Sequence, residues 1–293
     1  MSPYIQSLRL RTLPLSVSGI IVGCGLAYNL MPAANHSFGV CGFWLIFILA
    51  IATTLSLQIL SNLANELGDA LKGTDADQHG REAYGLQAGT LTQRRIVFLI
   101  WFFGCLSVVC GTALIYVSFG SLWCPQSLTF FGLGLLAVIG AVTYTLGRHS
   151  YGYMGLGDLG VFLFFGLLST LGSFYLVAQT LTAEALACAV AVGLPCVGVL
   201  NLNNIRDMQN DRVHGKRTFA SLLGPVGARV YHTLLLLGAL VVMVLFGHYW
   251  TLCILPFWAW HLWFVWTHHE RLDTHMPVLM FTTLMFAVLM LWK

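Results

Sequence analysis

The chain has 293 residues, of which 58% are hydrophobic and only 9% are charged, and its mean hydropathy is +0.80. Because a soluble domain carries about 25% charged residues, this composition excludes a soluble globule, a disordered chain and a nucleic-acid-binding protein. The formal net charge of +3 is too small to define a partner. The sequence therefore predicts a protein that crosses a membrane several times.

Nine stretches are apolar and long enough to cross a bilayer, which takes about 20 residues. In chain order they are 13–31, 40–64, 95–118, 126–147, 157–179, 184–204, 226–246, 250–267 and 276–292. The eighth is short and rich in tryptophan, so it is the weakest of the nine. We expect an all-α membrane protein that forms a single domain over residues 1–293.

The charged residues are concentrated on one side of this predicted topology. With nine spans, the longer polar loops 65–94, 148–156, 205–225 and 268–275 lie on the same side as the N-terminus. That side holds thirteen of the fourteen Lys and Arg residues, Lys293 being the exception. Because positively charged loops stay in the cytoplasm, the N-terminus and these loops are predicted to be cytoplasmic.

The acidic residues follow the same division, and Glu184 is the one exception among eleven. The positive-inside rule does not require this, since acidic residues contribute little to it. A first acidic cluster follows the second span and contains Asn65, Asp69 and Asp75. Asn65 and Asp69 are four residues apart and share a helix face. Gly73 allows the chain to turn Asp75 back toward Asp69.

A second acidic cluster follows the sixth span. It contains Asn204, Arg206, Asp207 and Asp211, and Asp207 and Asp211 are again four residues apart. Carboxylates crowded in this way repel one another unless a cation lies between them. Mg²⁺ takes one or two carboxylates together with phosphate oxygens and water. The two clusters therefore predict a site that holds a diphosphate through Mg²⁺.

Basic residues near both clusters could neutralise the remaining phosphate charge. They are Lys72, Arg81, Arg206, Lys216 and Arg217. Solvated loop acids beside solvated loop bases are the alternative interpretation. Two clusters, each preceded by Asn at helical spacing and each leaving a membrane span, favour the metal site.

At these residues the sequence resembles the UbiA superfamily of intramembrane aromatic prenyltransferases, and the resemblance covers essentially the whole chain. The segments that carry it are 9–14, the two acidic clusters, 144–148, 151–158 and 204–218. The Lys-Gly-Thr-Asp string at 72–75 and the Tyr-Gly-Tyr-x-Gly-Leu-Gly-Asp string at 151–158 favour the branch that prenylates 1,4-dihydroxy-2-naphthoate. Glu66 departs from the Asp that is usual beside Asn65, so a direct metal role is not assigned to it.

The resemblance implies about nine transmembrane helices around a central cavity, with the acidic motifs in a cytoplasmic cap. It also implies a bacterial plasma membrane enzyme that is embedded in lipid and uses Mg²⁺. The donor would be a polyprenyl diphosphate and the acceptor 1,4-dihydroxy-2-naphthoate, with loss of CO₂ and diphosphate to give demethylmenaquinone. Because the donor tail is a long hydrocarbon, the site must open sideways to lipid.

The candidate site residues form three groups. The candidate metal ligands are Asp69, Asp75, Asp207 and Asp211. The candidate catalytic residues are Asp69, Asp207, Arg148 and Tyr144. The candidate substrate-binding residues are Asn65, Lys72, Arg81, Tyr153, Asp158, Asn204, Arg206 and Lys216. The tyrosines, including Tyr151, would offer ring faces to an allylic cation, and Arg148 would take the acceptor carboxylate or the diphosphate.

Several other functions remain open. Transfer to 4-hydroxybenzoate, or to a haem or chlorophyllide precursor, would use the same metal chemistry. A transporter is the main alternative from another class, but it would place polar groups near the middle of the spans, where the sequence has few. A membrane alcohol phosphotransferase also pairs Asp residues with Mg²⁺, but its Asp-Gly-x-x-Ala-Arg pattern is absent from the sequence.

Overall fold

The computed structural model describes residues 7–30, 39–73, 85–268 and 272–293. Nine helices lie within these residues, as predicted. They are α1 (Leu13–Leu30), α2 (Gly39–Lys72), α3 (Gln93–Phe119), α4 (Pro125–Thr143), α5 (Gly157–Ala178), α6 (Ala183–Val213), α7 (Phe219–Leu245), α8 (Leu255–Thr267) and α9 (Leu272–Leu289). Eight of them are long and apolar enough to cross a membrane, and α8 is the shorter ninth.

Helix α8 has 13 residues, which corresponds to about 20 Å. A 3₁₀ helix, Tyr249–Ile254, precedes it directly and adds about 12 Å. Together they match a hydrocarbon core of about 30 Å. This explains why the eighth span gave the weakest signal in the sequence.

Helices α2 and α6 extend well beyond the predicted spans, which ended at residues 64 and 204. The chain leaves the helical conformation only near Gly73 and Gly215, where φ is 72° and 71°, a conformation that favours glycine. Polar residues continue a helix readily once it has left the hydrocarbon. Both acidic clusters therefore begin on rigid helix rather than on loops.

Helix α5 changes its winding along its length. Residues Phe162–Leu168 form a π-helix between the α-helical segments Gly157–Val161 and Ser169–Ala178. A Cβ atom added at Gly166 would lie 2.6 Å from the Cα of Gly193 on α6. The missing side chain therefore lets the backbones of α5 and α6 approach closely, and irregular π turns of this kind are frequent at functional sites.

Two groups of helices build the molecule. Helix α6 packs against α5, α7 and α9, while α2 packs against α3 and α4. Helix α1 joins the groups, since it contacts α2, α5, α6 and α9. Helices α4 and α5, both described in full, are not among the closely packed pairs. The two helices that carry the acidic clusters thus lie on opposite sides of a central space.

The two exceptions to the charge sorting meet at the far end of the bundle. The Nζ atom of Lys293 lies 2.8 Å from Oε1 of Glu184, and Nε2 of His248 lies 3.1 Å from the same oxygen. Lys293 is 57% exposed, so this ion pair contributes little stability. Its position opposite the acidic clusters agrees with the two-sided topology.

Candidate functional site

The acidic clusters face each other across a cavity of about 370 Å³. Helix α2 contributes Asn65 and Asp69 to its wall, and α6 contributes Asn204, Asp207 and Asp211. Arg206, Lys216, Tyr144 and Tyr153 line the same cavity. The structure therefore brings together nine of the predicted site residues.

On the α6 side, each carboxylate is paired with a cation. Nε of Arg206 donates a hydrogen bond to Oδ1 of Asp207 at 2.6 Å, and the same guanidinium also pairs with Asp273 on α9. Nζ of Lys216 lies 3.3 Å from Oδ1 of Asp211. Asp211 is 1% exposed, and its Oδ2 atom has no hydrogen-bond partner within the described residues. That oxygen can accept a hydrogen bond from a bound group or ligate a bound cation.

On the α2 side, Tyr153, which lies in the segment between α4 and α5, contacts the first acidic cluster. Its hydroxyl donates to Oδ1 of Asp69 at 2.8 Å. Nζ of Lys72 lies 3.7 Å from the centre of the Tyr153 ring and donates to the carbonyl of Thr145 at 2.7 Å. Nζ of Lys216 lies 5.6 Å from the same ring centre. Tyr153 is thus surrounded by charges from both acidic clusters.

Two further tyrosines, Tyr144 and Tyr151, line the cavity. The rings of Tyr144 and Tyr151 meet edge to face at 5.2 Å, and the Tyr151 hydroxyl donates to the Gly140 carbonyl at 3.0 Å. Burial raises the pKa of Tyr144 above its usual value and that of Tyr151 to about 12. Both groups therefore remain neutral phenols on the cavity wall.

Backbone hydrogen bonds fix the segment between α4 and α5 that carries these tyrosines. The Gly152 N–H donates to the Tyr144 carbonyl at 3.0 Å. The Arg217 N–H donates to the Tyr153 carbonyl at 3.1 Å, which ties the segment after α4 to the segment after α6. A Cβ atom at Gly152 would lie 2.7 Å from the Tyr144 carbonyl oxygen, so only glycine fits this contact.

Some predicted site residues lie elsewhere. Helix α4 ends at Thr143, four residues before the predicted end of the fourth span. Gly147 then turns the chain with a φ of 95°, and Arg148 is exposed and lies outside the cavity wall. Asp158 begins α5 and is hydrogen-bonded to the Tyr231 hydroxyl of α7. Asp75 and Arg81 lie outside the described residues.

Glu66 points away from the cavity and has a structural role. It is 1% exposed, and its Oε1 atom accepts hydrogen bonds from Ser7 Oγ at 3.2 Å and from the Leu86 N–H at 2.7 Å. It therefore fastens the segment before α1 and the segment before α3 to α2. Glu66 is therefore not part of the cavity wall.

The sequence analysis missed a polar part of the cavity wall, formed by α2 and by the residues before and at the start of α1. It consists of Arg9, Thr12, Gln58, Ser61 and Asn62. Gln58, Asn62, Asn65 and Asp69 follow one another at spacings of four, three and four residues, which puts all four on one helix face. That periodicity was a usable signal, whereas nothing in the sequence placed Arg9 on this wall.

The donor atoms at the cavity suit a hard divalent cation. They are carboxylate and amide oxygens, and Oδ2 of the buried Asp211 carboxylate has no other partner among the described residues. No three acidic, His or Cys side chains in the described part converge closely enough to hold an ion alone. This arrangement fits Mg²⁺, because Mg²⁺ uses few carboxylates and completes its shell with water and phosphate oxygens.

An apolar groove of about 910 Å³ runs between α4 and α5. It shares Phe130, Leu133, Phe164 and Leu168 with the cavity, so the two spaces adjoin. Helices α4 and α5 touch through Phe130 and Tyr175, whose ring centres are 5.9 Å apart, and through Phe164 against Gly140. Between these contacts the cavity opens through the groove to the outer surface of the helix bundle.

Comparison with known proteins agrees with this geometry. The chain is 43% identical to the 1,4-dihydroxy-2-naphthoate octaprenyltransferase of Escherichia coli K12, over 83% of this chain and 76% of that protein. It is 30% identical to the human UbiA prenyltransferase domain-containing protein 1, over 84% of this chain and 68% of that protein.

Solved structures of similar fold include two archaeal proteins. A UbiA homolog from Archaeoglobus fulgidus bound to DMAPP and Mg²⁺ matches with a TM-score of 0.60 and 15% identity, over 98% of this chain and 86% of that one. An apo UbiA homolog from Aeropyrum pernix K1 matches with a TM-score of 0.64 and 16% identity, over 95% and 96%. The sequence profile of the UbiA prenyltransferase family covers residues 20–290. The chain therefore belongs to the UbiA prenyltransferase family.

Proposed function

We propose that this protein transfers a polyprenyl group from polyprenyl diphosphate to 1,4-dihydroxy-2-naphthoate, releasing diphosphate and CO₂ and forming the reduced, quinol form of demethylmenaquinone. The observation that carries the proposal is the pair of acidic helix ends that face each other across a cavity adjoining an apolar groove. The name and 43% identity of the Escherichia coli relative support this acceptor. The whole chain acts as one catalytic domain, since both halves contribute to the cavity.

The diphosphate binds between the two acidic clusters. Asp69, Asp75, Asp207 and Asp211 hold Mg²⁺, which when bound stabilises the negative charge that grows on the leaving group. Arg206 and Lys216 pair with Asp207 and Asp211 in the structure. Both cations lie where they can pair with phosphate oxygens instead. Lys72, the last residue of α2, adds positive charge beside the first acidic cluster, and Arg81 is a further candidate cation.

The transfer breaks one bond and forms another. The bond between the allylic carbon and the diphosphate oxygen breaks, and both of its electrons leave with diphosphate. A ring carbon of the acceptor forms a bond to the allylic carbon, and the carboxylate then leaves as CO₂, returning its electron pair to the ring. The rings of Tyr144, Tyr151 and Tyr153 stabilise the positive charge on the allylic carbon, each by about 0.5–2 kcal/mol.

The hydrocarbon tail of the donor follows the groove between α4 and α5. The groove is lined almost entirely by apolar side chains and begins at the cavity wall. A tail placed there keeps its contact with the bilayer, so a long chain need not be enclosed by the protein. The chain crosses a bacterial plasma membrane, with the N-terminus and both acidic clusters in the cytoplasm.

The test uses membranes that contain the protein. They receive a polyprenyl diphosphate, Mg²⁺ and either 1,4-dihydroxy-2-naphthoate or 4-hydroxybenzoate, with EDTA as a control. The proposal expects a prenylated, decarboxylated product from the naphthoate alone, and no product with EDTA. Product from 4-hydroxybenzoate alone would keep the metal chemistry and refute the acceptor. No product from either acceptor with intact protein would refute the proposed function.

A further inference from the structure

Aromatic side chains narrow the gap between α4 and α5 at both of its ends. At the end nearer the acidic clusters, the Phe164 ring packs on Gly140, where an added Cβ atom would lie 2.7 Å from Cζ of that ring. Tyr151 covers the same end, since its hydroxyl donates to the Gly140 carbonyl at 3.0 Å. At the other end, the rings of Phe130 and Tyr175 stack at 5.9 Å. The cavity therefore meets the groove between these two sets of contacts.

Three residues between these contacts line both the cavity and the groove. They are Leu133 on α4 and Leu168 and Gly172 on α5, and together they frame a window between the two spaces. A Cβ atom added at Gly172 would lie 3.6 Å from Cδ1 of Leu168 and 3.8 Å from Cε1 of Phe130. A longer side chain at Gly172 would therefore extend into the window.

Neither the backbone nor close packing explains a glycine at position 172. The residue lies inside the regular helix Ser169–Ala178, where glycine is less favourable than any residue except proline. The contacts that a Cβ atom would make are ordinary van der Waals distances, so alanine would fit without displacing a neighbour. The absence of a side chain at Gly172 instead keeps the window wide.

The cavity is too short to enclose a long polyprenyl tail. Its wall on α2 runs from Asp69 to Ala50, which corresponds to about 28 Å along the helix axis. At its far end the wall is formed by Ala50, Leu114 and Leu176, all of them buried. An isoprene unit adds four carbon–carbon bonds of about 1.5 Å and spans about 5 Å, so an extended octaprenyl tail needs about 40 Å. Such a tail must leave the cavity sideways.

The position of the window indicates which part of the tail leaves. Leu133 precedes Tyr144, the residue that ends α4, by eleven residues, or about 16 Å along the axis. The proposed function places the allylic carbon beside Tyr144. Three isoprene units span about 15 Å, so a tail of this length reaches the window without crossing it.

We propose that Gly172 determines which donors the enzyme accepts, because tails longer than about three isoprene units leave the cavity through the window that it keeps open. The inference rests on the proposed function and deepens it. A shorter tail stays inside the cavity and does not need the window. A large side chain at Gly172 would fill the window, and a packed interior makes room for extra volume only at a cost. The loss should therefore fall on long donors alone.

The test compares Gly172→Leu and Gly172→Ala with the wild type in lipid nanodiscs that contain Mg²⁺ and 1,4-dihydroxy-2-naphthoate. Each protein receives either geranyl or octaprenyl diphosphate, and kcat, the donor KM and the midpoint of thermal unfolding are measured. Gly132→Leu is the matched control, because Gly132 lies on α4, is exposed and lines neither the cavity nor the groove. A double variant, Gly172→Leu with Leu133→Ala, removes side-chain volume from the facing side of the window.

Gly172→Leu is expected to lower kcat/KM for octaprenyl diphosphate about 10- to 100-fold. Its kcat/KM for geranyl diphosphate should stay within about 2-fold of the wild type. Gly172→Ala and Gly132→Leu should match the wild type with both donors. The double variant should recover most of the octaprenyl activity, which a merely destabilised protein would not do.

Equal losses for the two donors in folded Gly172→Leu would overturn the inference, as would an unchanged octaprenyl rate. A wild type that uses octaprenyl but not geranyl diphosphate would also overturn it, because the cavity would then not hold a short tail. If Gly172→Leu does not fold, Leu133→Phe narrows the same window from α4 and must show the same difference between donors. A folded wild type that is inactive with both donors would instead refute the proposed function.

Discussion

Asp69 and Glu66 are three residues apart on α2, and they are expected to respond in opposite ways to loss of charge. Asp69 lies on the cavity wall and accepts from Tyr153. Glu66 is buried behind the helix and accepts from Ser7 and Leu86. The substitutions Asp69→Asn and Glu66→Gln each remove one negative charge and keep the side-chain shape. The pair therefore separates a role in catalysis from a role in folding.

The magnitudes follow from the contacts. Asp69→Asn removes a charge proposed to bind the metal that stabilises the leaving diphosphate. The loss of one such preorganised electrostatic interaction costs about 3–4 kcal/mol, or roughly 10²–10³-fold in kcat. Glu66→Gln converts two charge-assisted hydrogen bonds into neutral ones, which lowers the free energy of unfolding by about 1–3 kcal/mol.

The assay measures kcat per mole of folded protein and the midpoint of thermal unfolding in the same detergent or nanodisc sample. Asp69→Asn should lose transfer while its unfolding midpoint stays close to that of the wild type. Glu66→Gln should unfold earlier and keep most of its activity below that midpoint. Equal loss of activity in the two variants would refute the assignment of Glu66 to structure, and near-normal activity of Asp69→Asn would refute the metal site.

Three further predictions test other parts of the site. Tyr153→Phe removes the hydroxyl that donates to Asp69 but keeps the ring, so we expect about a 5- to 10-fold lower kcat, whereas Tyr153→Leu should lose more in the same transfer assay. Gly134 lines the cavity with no atom within 4 Å of an added Cβ, while Gly132 on the same helix is exposed and equally open. Substitution by Leu raises the helix propensity at both positions, yet only Gly134→Leu should slow transfer. Equal transfer rates for the Gly134→Leu and Gly132→Leu variants would show that this part of the wall does not contact substrate. EDTA should abolish product formation and excess Mg²⁺ should restore it. Persistence of activity after exhaustive chelation would contradict an essential divalent ion.

The sequence by itself determined the nine helices, the concentration of the charges at one end of them and the helix faces that carry the two acidic clusters. These features are local, because hydropathy over about 20 residues and the spacing of side chains along one helix are properties of contiguous sequence. Asn65, Asp69, Asp207 and Asp211 could be identified for this reason. The same spacing places Gln58 and Asn62 on the cavity face of α2.

Only the tertiary structure decided which cations reach the cavity. Arg148 follows the fourth span directly, yet the early end of α4 and the turn at Gly147 leave it exposed. Arg9 lies far from both acidic clusters in sequence, yet contacts from α2 hold it at the cavity. The gap between α4 and α5 is likewise a result of how the helices pack, and the sequence of neither helix predicts it. Such placements depend on contacts between residues distant in the chain, and sequence spacing carries no record of those distances.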